Sequence, residues 1–166
     1  MIRELVITVL AENTAGMRGI LGEHGIAFHI QADGLSLLFD TGQGMVLRHN
    51  AEHLGIALDT LDAIALSHGH YDHTGGLLDL LDRGARKALY LHPAALEPKY
   101  NRRHQAIGGD LPEAERLERM AEVTWTTAPT ELAPGVWLTG EIPRQTAFED
   151  TGGPFYRGPA RATTDL

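Results

Sequence analysis

No cysteine occurs among the 166 residues, so neither a disulfide nor a thiolate metal site can form. Aromatic residues are scarce at 6 %, which leaves Leu, Ile, Val and Ala to build the core. No basic cluster is longer than Arg102-Arg103, and the formal charge is −8. Such a balance points away from nucleic acid, whose binding rests on neutralising phosphates. No stretch approaches the ~20 apolar residues of a membrane span. Residues 1–10 lack the long apolar core and small-residue cleavage site of a signal peptide. These absences lead to the expectation of a cytoplasmic protein with neither a nucleic-acid nor a membrane partner.

What remains is the composition of an ordinary globular protein, 43 % hydrophobic and 22 % charged. The length suits one domain, given roughly 100–200 residues for each. Nine histidines are present, so any transition metal would be held by imidazole and carboxylate.

Leu5 to Leu10 reads as a strand. Ile26 to Ala32 and Leu35 to Phe39 are apolar runs separated by Asp33-Gly34, a strong hairpin signal. Gly44 to Leu54 reads as a helix with Val46, Leu47, Ala51 and Leu54 on one face and His49 and His53 on the other. The i,i+4 histidines have chelating spacing, but without a carboxylate beside them they read as solvent-facing. Asp62 to Ser67 is a short buried strand. A helix capped by Thr74 and the strand Lys87 to Leu91 then complete a βαβ unit. Asp110 and Glu113 form a capping pair for a helix from Pro112 to Ala121. Glu122 to Thr126 and Val136 to Thr139 read as strands around the turn at Ala133-Pro134-Gly135. Residues 1–144 thus form an α/β unit with a mixed sheet and flanking helices, and 145–166 an irregular or disordered tail.

Between Ser67 and Thr74, His68, His70, Asp72 and His73 crowd the loop that follows a buried strand, where α/β sheets place their ligands. In extended chain, residues two apart point the same way, so His68 and His70 can reach one cation. Asp72 and His73 come round the bend that starts the next helix and can serve a second. Imidazole and carboxylate ligands at ~2.0–2.2 Å suit Zn²⁺, with Mn²⁺ or Fe as alternatives where carboxylates dominate. Gly69 lets the backbone fold tightly between the two ligands.

The run Ser67-His68-Gly69-His70-Tyr71-Asp72-His73-Thr74-Gly75-Gly76 resembles the His-x-His-x-Asp-His signature of the metallo-β-lactamase superfamily. Leu38-Phe39-Asp40-Thr41-Gly42 resembles the strand and turn that precede it there. Tyr71, Leu91-His92-Pro93, Lys99-Tyr100 and Thr139-Gly140-Glu141-Ile142-Pro143-Arg144 are similar to a branch of dihydropterin-ribofuranosylaminobenzene phosphate synthase-like hydrolases. The resemblance implies an αββα sandwich and a metal-dependent hydrolase that works through a dinuclear zinc site and a metal-bound hydroxide. It implies His68 and His70 on the first metal and Asp72 and His73 on the second. It further implies that Asp72 could orient or deprotonate the bridging water. Asp40 would fix a ligand histidine or the water by a hydrogen bond; a turn-forming Asx role is the competing reading. Arg144 could pair with a phosphate or carboxylate of a small-molecule substrate, or simply form a surface ion pair with Glu141 or Glu149.

In that superfamily the second half of the sandwich supplies the remaining ligands, and no such segment is evident here. Past His73 the histidines are His92, which reads as a rim residue, and His104, which reads as exposed. Glu141 and Asp150 are the carboxylates late enough to bridge. The chain therefore looks like an N-terminal half, completed by a second polypeptide segment or a paired copy. The alternative is a catalytically incomplete subunit or metal-binding interaction module.

Overall fold

The structure, a computed structural model, describes residues 2–83, 85–143, 145, 146, 148, 155–158 and 163–164. Its centre is a six-stranded mixed sheet. Strands β1 (Leu5–Ala11), β2 (Ala27–Ala32) and β3 (Leu35–Phe39) each run antiparallel to the next. Next to β3, strands β4 (Ala63–Ala65) and β5 (Ala88–Leu91) continue the sheet in parallel. The first hairpin turns at Asp33-Gly34 with φ of +45° and +97°, the left-handed pair that a tight two-residue turn requires. Asp33 also accepts hydrogen bonds from the backbone N–H of Arg3 and Glu4, which ties the start of the chain to this turn.

Helices α1 (Leu47–His53), α2 (Tyr71–Thr74), α3 (Leu77–Leu81) and α4 (Ala114–Met120) follow in chain order. Leu47 and Ala51 of α1, Leu77 and Leu80 of α3 and Leu117 of α4 join Leu10, Leu38, Ile64, Leu89 and Leu91 of the strands in one core. The parallel strands are apolar in succession because both of their faces are buried. Buried within α1, Asn50 donates to the carbonyls of Leu10 and Leu21 and accepts from Leu21 N–H, so it joins the helix to β1 and to the loop before β2.

The remaining strands are β6 (Lys99–Tyr100), β7 (Glu122–Trp125), β8 (Thr130–Ala133), β9 (Val136–Leu138), β10 (Tyr156–Arg157) and β11 (Thr163–Thr164). β7 extends the central sheet in parallel beside β5. β8 and β9 form a separate hairpin, and β11, β10 and β6 a small three-stranded sheet. Leu132 and Leu138 of the hairpin pack over Leu37, Ala63 and Ala65 on the face away from the helices. That cover does not reach the first strand, where Leu5, Ile7 and Val9 are 47 to 56 % exposed.

Several sequence expectations are corrected here. Thr74 ends α2 and donates to the His70 carbonyl, while α3 starts without a side-chain cap. The helix expected from Pro112 begins at Ala114, and neither Asp110 nor Glu113 caps it. Val136–Leu138 pairs with Thr130–Ala133, not with the strand at Glu122. Within the stretch read as tail, Tyr156–Arg157 pairs with Lys99–Tyr100. Arg144, Glu149 and Asp150 lie outside the described residues. Among the described residues no helix is long and apolar enough to cross a membrane.

Replacing Asn50 by Ala removes the partner of the buried Leu10 carbonyl and of the partly buried carbonyl and N–H of Leu21. The expected loss is about 2–4 kcal/mol, read as a lower urea midpoint at unchanged slope. Asn50→Asp, which keeps an acceptor for Leu21 N–H but loses both donors, should be destabilised as well.

Candidate functional site

The site forms where the parallel strands β3 and β4 end. β3 runs into Asp40, a left-handed residue (φ +59°) that is only 1 % exposed. Its backbone N–H bonds to the Ala65 carbonyl at 2.9 Å, so its position is set by the neighbouring strand. One carboxylate oxygen accepts from Ser67 N–H at 2.7 Å. The other accepts from the Ser67 hydroxyl at 2.6 Å and from His73 Nδ1 at 2.7 Å. Thr41 strengthens the same junction, since its N–H and hydroxyl both donate to the His73 carbonyl.

These contacts dictate where the ring protons sit. Asp40 as a carboxylate only accepts, so neutral His73 carries its proton on Nδ1 and its Nε2 is bare. The Ser67 hydroxyl has one proton, directed at Asp40. Its oxygen therefore accepts from His68 Nδ1, 2.9 Å away, and His68 Nε2 is bare as well. One buried carboxylate thus orients two imidazoles, the second through a serine.

His68 lies with its ring centroid 4.1 Å from that of His73 and 4.4 Å from that of His70. Burial, then the neighbouring rings of His73 and His70, push the pKa of His68 down to about 4, against the pull of Asp40 and Asp72. The ring is neutral at pH 7, the form in which imidazole ligates. Burial opposes protonation of His73 too, but the hydrogen bond and charge of Asp40, with the charge of Asp72, outweigh it and hold its pKa above the ordinary value. Asp72 turns one oxygen to His24 Nε2 at 3.3 Å and stands 3.8 Å from His73 Nε2.

Of the four side chains that the sequence singles out, the structure brings the rings of His68, His70 and His73 side by side and leaves Asp72 3.8 Å from His73 Nε2. Among the described residues no three or more His, Asp or Glu side chains form a set that could hold an ion. The rings pack on one another and Asp72 faces His24. The donor chemistry nonetheless fits a metal: His68 and His73 present bare nitrogens beside a carboxylate, and the Asp40 contact is of the kind that orients ligating histidines. Gly69 is required for a different reason from the one its place between two ligands suggests. A Cβ there would lie 2.1 Å from the Ala95 carbonyl oxygen, so the loop can approach the turn Pro93–Leu96 only without a side chain.

A cleft of about 710 Å³ opens over His68 and His70. It is also lined by Phe39, His92, Glu141, Phe155 and Arg157. His92 Nδ1 accepts from Ala94 N–H, so Nε2 carries the proton and donates to Glu141 at 2.9 Å. Glu141 is thereby paired at the rim. His24, Phe155 and Arg157 were not legible as site residues. His24 stands in an irregular loop far upstream of Asp72, and the other two reach the cleft only through the pairing of β10 with β6.

Removing the Asp40 carboxylate (Asp40→Ala) should lower zinc affinity about 10–100-fold in equilibrium dialysis, because the His73 and His68 rings lose their fixed tautomers. It should also cost about 1–3 kcal/mol in urea unfolding, because Ser67 N–H loses its partner. A stability loss with unchanged zinc affinity would reduce Asp40 to a turn residue.

Known proteins are similar to this chain in sequence and in fold. The family model for the metallo-β-lactamase superfamily matches residues 25–160. An uncharacterised protein of Methanocaldococcus jannaschii is 28 % identical over 145 residues, which cover 87 % of this chain and 56 % of that protein. From the same organism, 7,8-dihydropterin-6-methyl-4-(β-D-ribofuranosyl)-aminobenzene-5′-phosphate synthase is 30 % identical over 153 residues, 82 % of this chain and 50 % of its own length. Among solved structures, a metal-dependent hydrolase of the β-lactamase superfamily superposes with a TM-score of 0.68 at 28 % identity, over 93 % of this chain and 54 % of that one. The chain spans about half the length of the relatives it matches. With its mixed sheet, its histidine-rich loop after β4 and a family match over most of its length, the chain belongs to the metallo-β-lactamase superfamily.

Proposed function

We propose that the chain carries part of the active site of a metal-dependent hydrolase acting on a small molecule. The observation that carries this reading is the Asp40–His73 hydrogen bond, with Ser67 passing the same constraint to His68. His68, His70, Asp72 and His73 would hold the metal. Zinc is favoured because the set is rich in imidazole, with Mn²⁺ or Fe as alternatives. The set divides into His68 with His70 and Asp72 with His73, so two ions are proposed. Bound there, a divalent cation would polarise the scissile group and acidify water at the site.

The chain's own residues have separate tasks. Asp40 keeps both ring protons on the side away from the cleft. Asp72 offers a carboxylate that can hold a proton taken from attacking water. Phe39 and Phe155 give the cleft apolar walls. Hydrolase chemistry at superfamily level is supported by the family match and by the solved metal-dependent hydrolase.

A second reading rests on the uncovered apolar face of β1. Leu5, Ile7 and Val9 form a patch of the kind that soluble monomers seldom leave open. A further segment or a paired copy would cover it and complete the ligand set, and without it the chain would act as an incomplete subunit.

Both readings are checked on purified residues 1–166. Zinc per chain should fall on His68→Ala and on His73→Ala, and hydrolysis of p-nitrophenyl esters or of bis(p-nitrophenyl) phosphate should be abolished by a chelator and restored by zinc. Zinc uptake unchanged in both variants would end the hydrolase reading. Sedimentation should show an associating species with weak metal retention. A monodisperse monomer with full turnover would end the second reading.

A further inference from the structure

We infer that Arg157 forms an anion subsite in the cleft, so that the substrate carries a phosphoryl or phosphonyl group beside the bond to be cleaved. The inference rests on the reading of the His68–His73 cluster as the reaction centre and names the class of substrate that this centre takes.

Three observations lead to it. The first is position. Arg157 pairs with Lys99 in the small sheet, which brings a late part of the chain against the rim of the cleft. Successive residues there alternate sides, as extended chain requires. Tyr156 stacks on His104 at a centroid distance of 6.1 Å, while Phe155 and Arg157 both line the cleft. Phe155 meets the His70 ring edge-on at 5.2 Å. Arg157 therefore follows, by two residues or about 7 Å of extended chain, a side chain already in contact with the histidine cluster.

The second observation is charge. Lys99, the other cation lining the cleft, is buried, and its ammonium donates to the carbonyls of Ala94 and Glu97. Glu141, the carboxylate lining it, is paired with His92. Arg157 by contrast has no hydrogen bond or ion pair holding its guanidinium among the described residues. The formal charge of the chain is −8, yet among the described residues no carboxylate pairs with this cation.

The third is chemistry. A planar guanidinium offers parallel N–H donors that match two oxygens of a phosphoryl group, and it stays charged at any working pH. Phe39 and Phe155 on the same walls suit an apolar or aromatic body attached to that group.

Phenylphosphonate, an uncleavable anion with an aromatic body, is the probe. Calorimetric titration into residues 1–166 should show binding that weakens as salt rises. Arg157→Ala should weaken it about tenfold or more, the loss expected for a charge-assisted pair, while zinc uptake stays as in the wild type. Arg157→Lys should recover part of the affinity, which a merely structural role for Arg157 would not explain. The variant His73→Ala separates this inference from the one beneath it. Binding that survives His73→Ala but not Arg157→Ala supports the subsite even if the metal reading fails. Absence of binding to the wild type at millimolar phenylphosphonate, or binding lost with His73→Ala and unchanged with Arg157→Ala, would overturn it.

Discussion

The buried carboxylate of Asp40 joins the end of β3 to the histidine-rich segment after β4, which is distant in sequence. It closes β3, receives two hydrogen bonds from Ser67 after β4 and holds the His73 ring at the start of the first helix beyond the loop. A carboxylate this deep is costly to desolvate, and its three hydrogen bonds are what make it tolerable there. The left-handed backbone at Asp40 serves the same end. Asp adopts that conformation more readily than most residues, and at this position it accompanies a carboxylate aimed across the ends of two parallel strands. Changing this one side chain would disturb the loop geometry and the ring tautomers together.

From that junction the rest of the site follows by packing. The loop carrying His68 and His70 presses on the turn Pro93–Leu96 at Gly69, where a side chain has no room. That contact carries His92 to the rim, and Glu141 reaches it from beyond β9. The opposite wall comes from the small sheet, whose pairing of β10 with β6 lays Phe155 against His70. The cleft is therefore bounded by segments that lie between Phe39 and Arg157 in the chain, arranged around histidines that Asp40 has oriented.

Electrostatics gives the cluster a division of labour. His68, half-buried and crowded by two other imidazoles, is neutral, whereas Asp40 and Asp72 favour the charged form of His73. Asp72 shares its attention with His24, so the carboxylate is held away from the centre of the rings. A cationic ligand replacing protons on these groups would redistribute the same charges without new residues.

Much of the fold was legible in the sequence because its signals are local. Asp33-Gly34 between apolar runs determined the first hairpin, the spacing of Leu47 and Ala51 the buried face of α1, and the crowding of His68, His70, Asp72 and His73 after a buried strand the place of the site. Short-range sterics and periodicity suffice for each of these. The tertiary structure decided what depends on long-range pairing. It chose between an Asx turn and a histidine partner for Asp40, paired His92 with Glu141, folded Val136–Leu138 back on Thr130–Ala133, and brought Phe155 and Arg157 to the cleft. No local pattern encodes those contacts, because the partners are separated by whole elements and meet only after the sheet has set their positions.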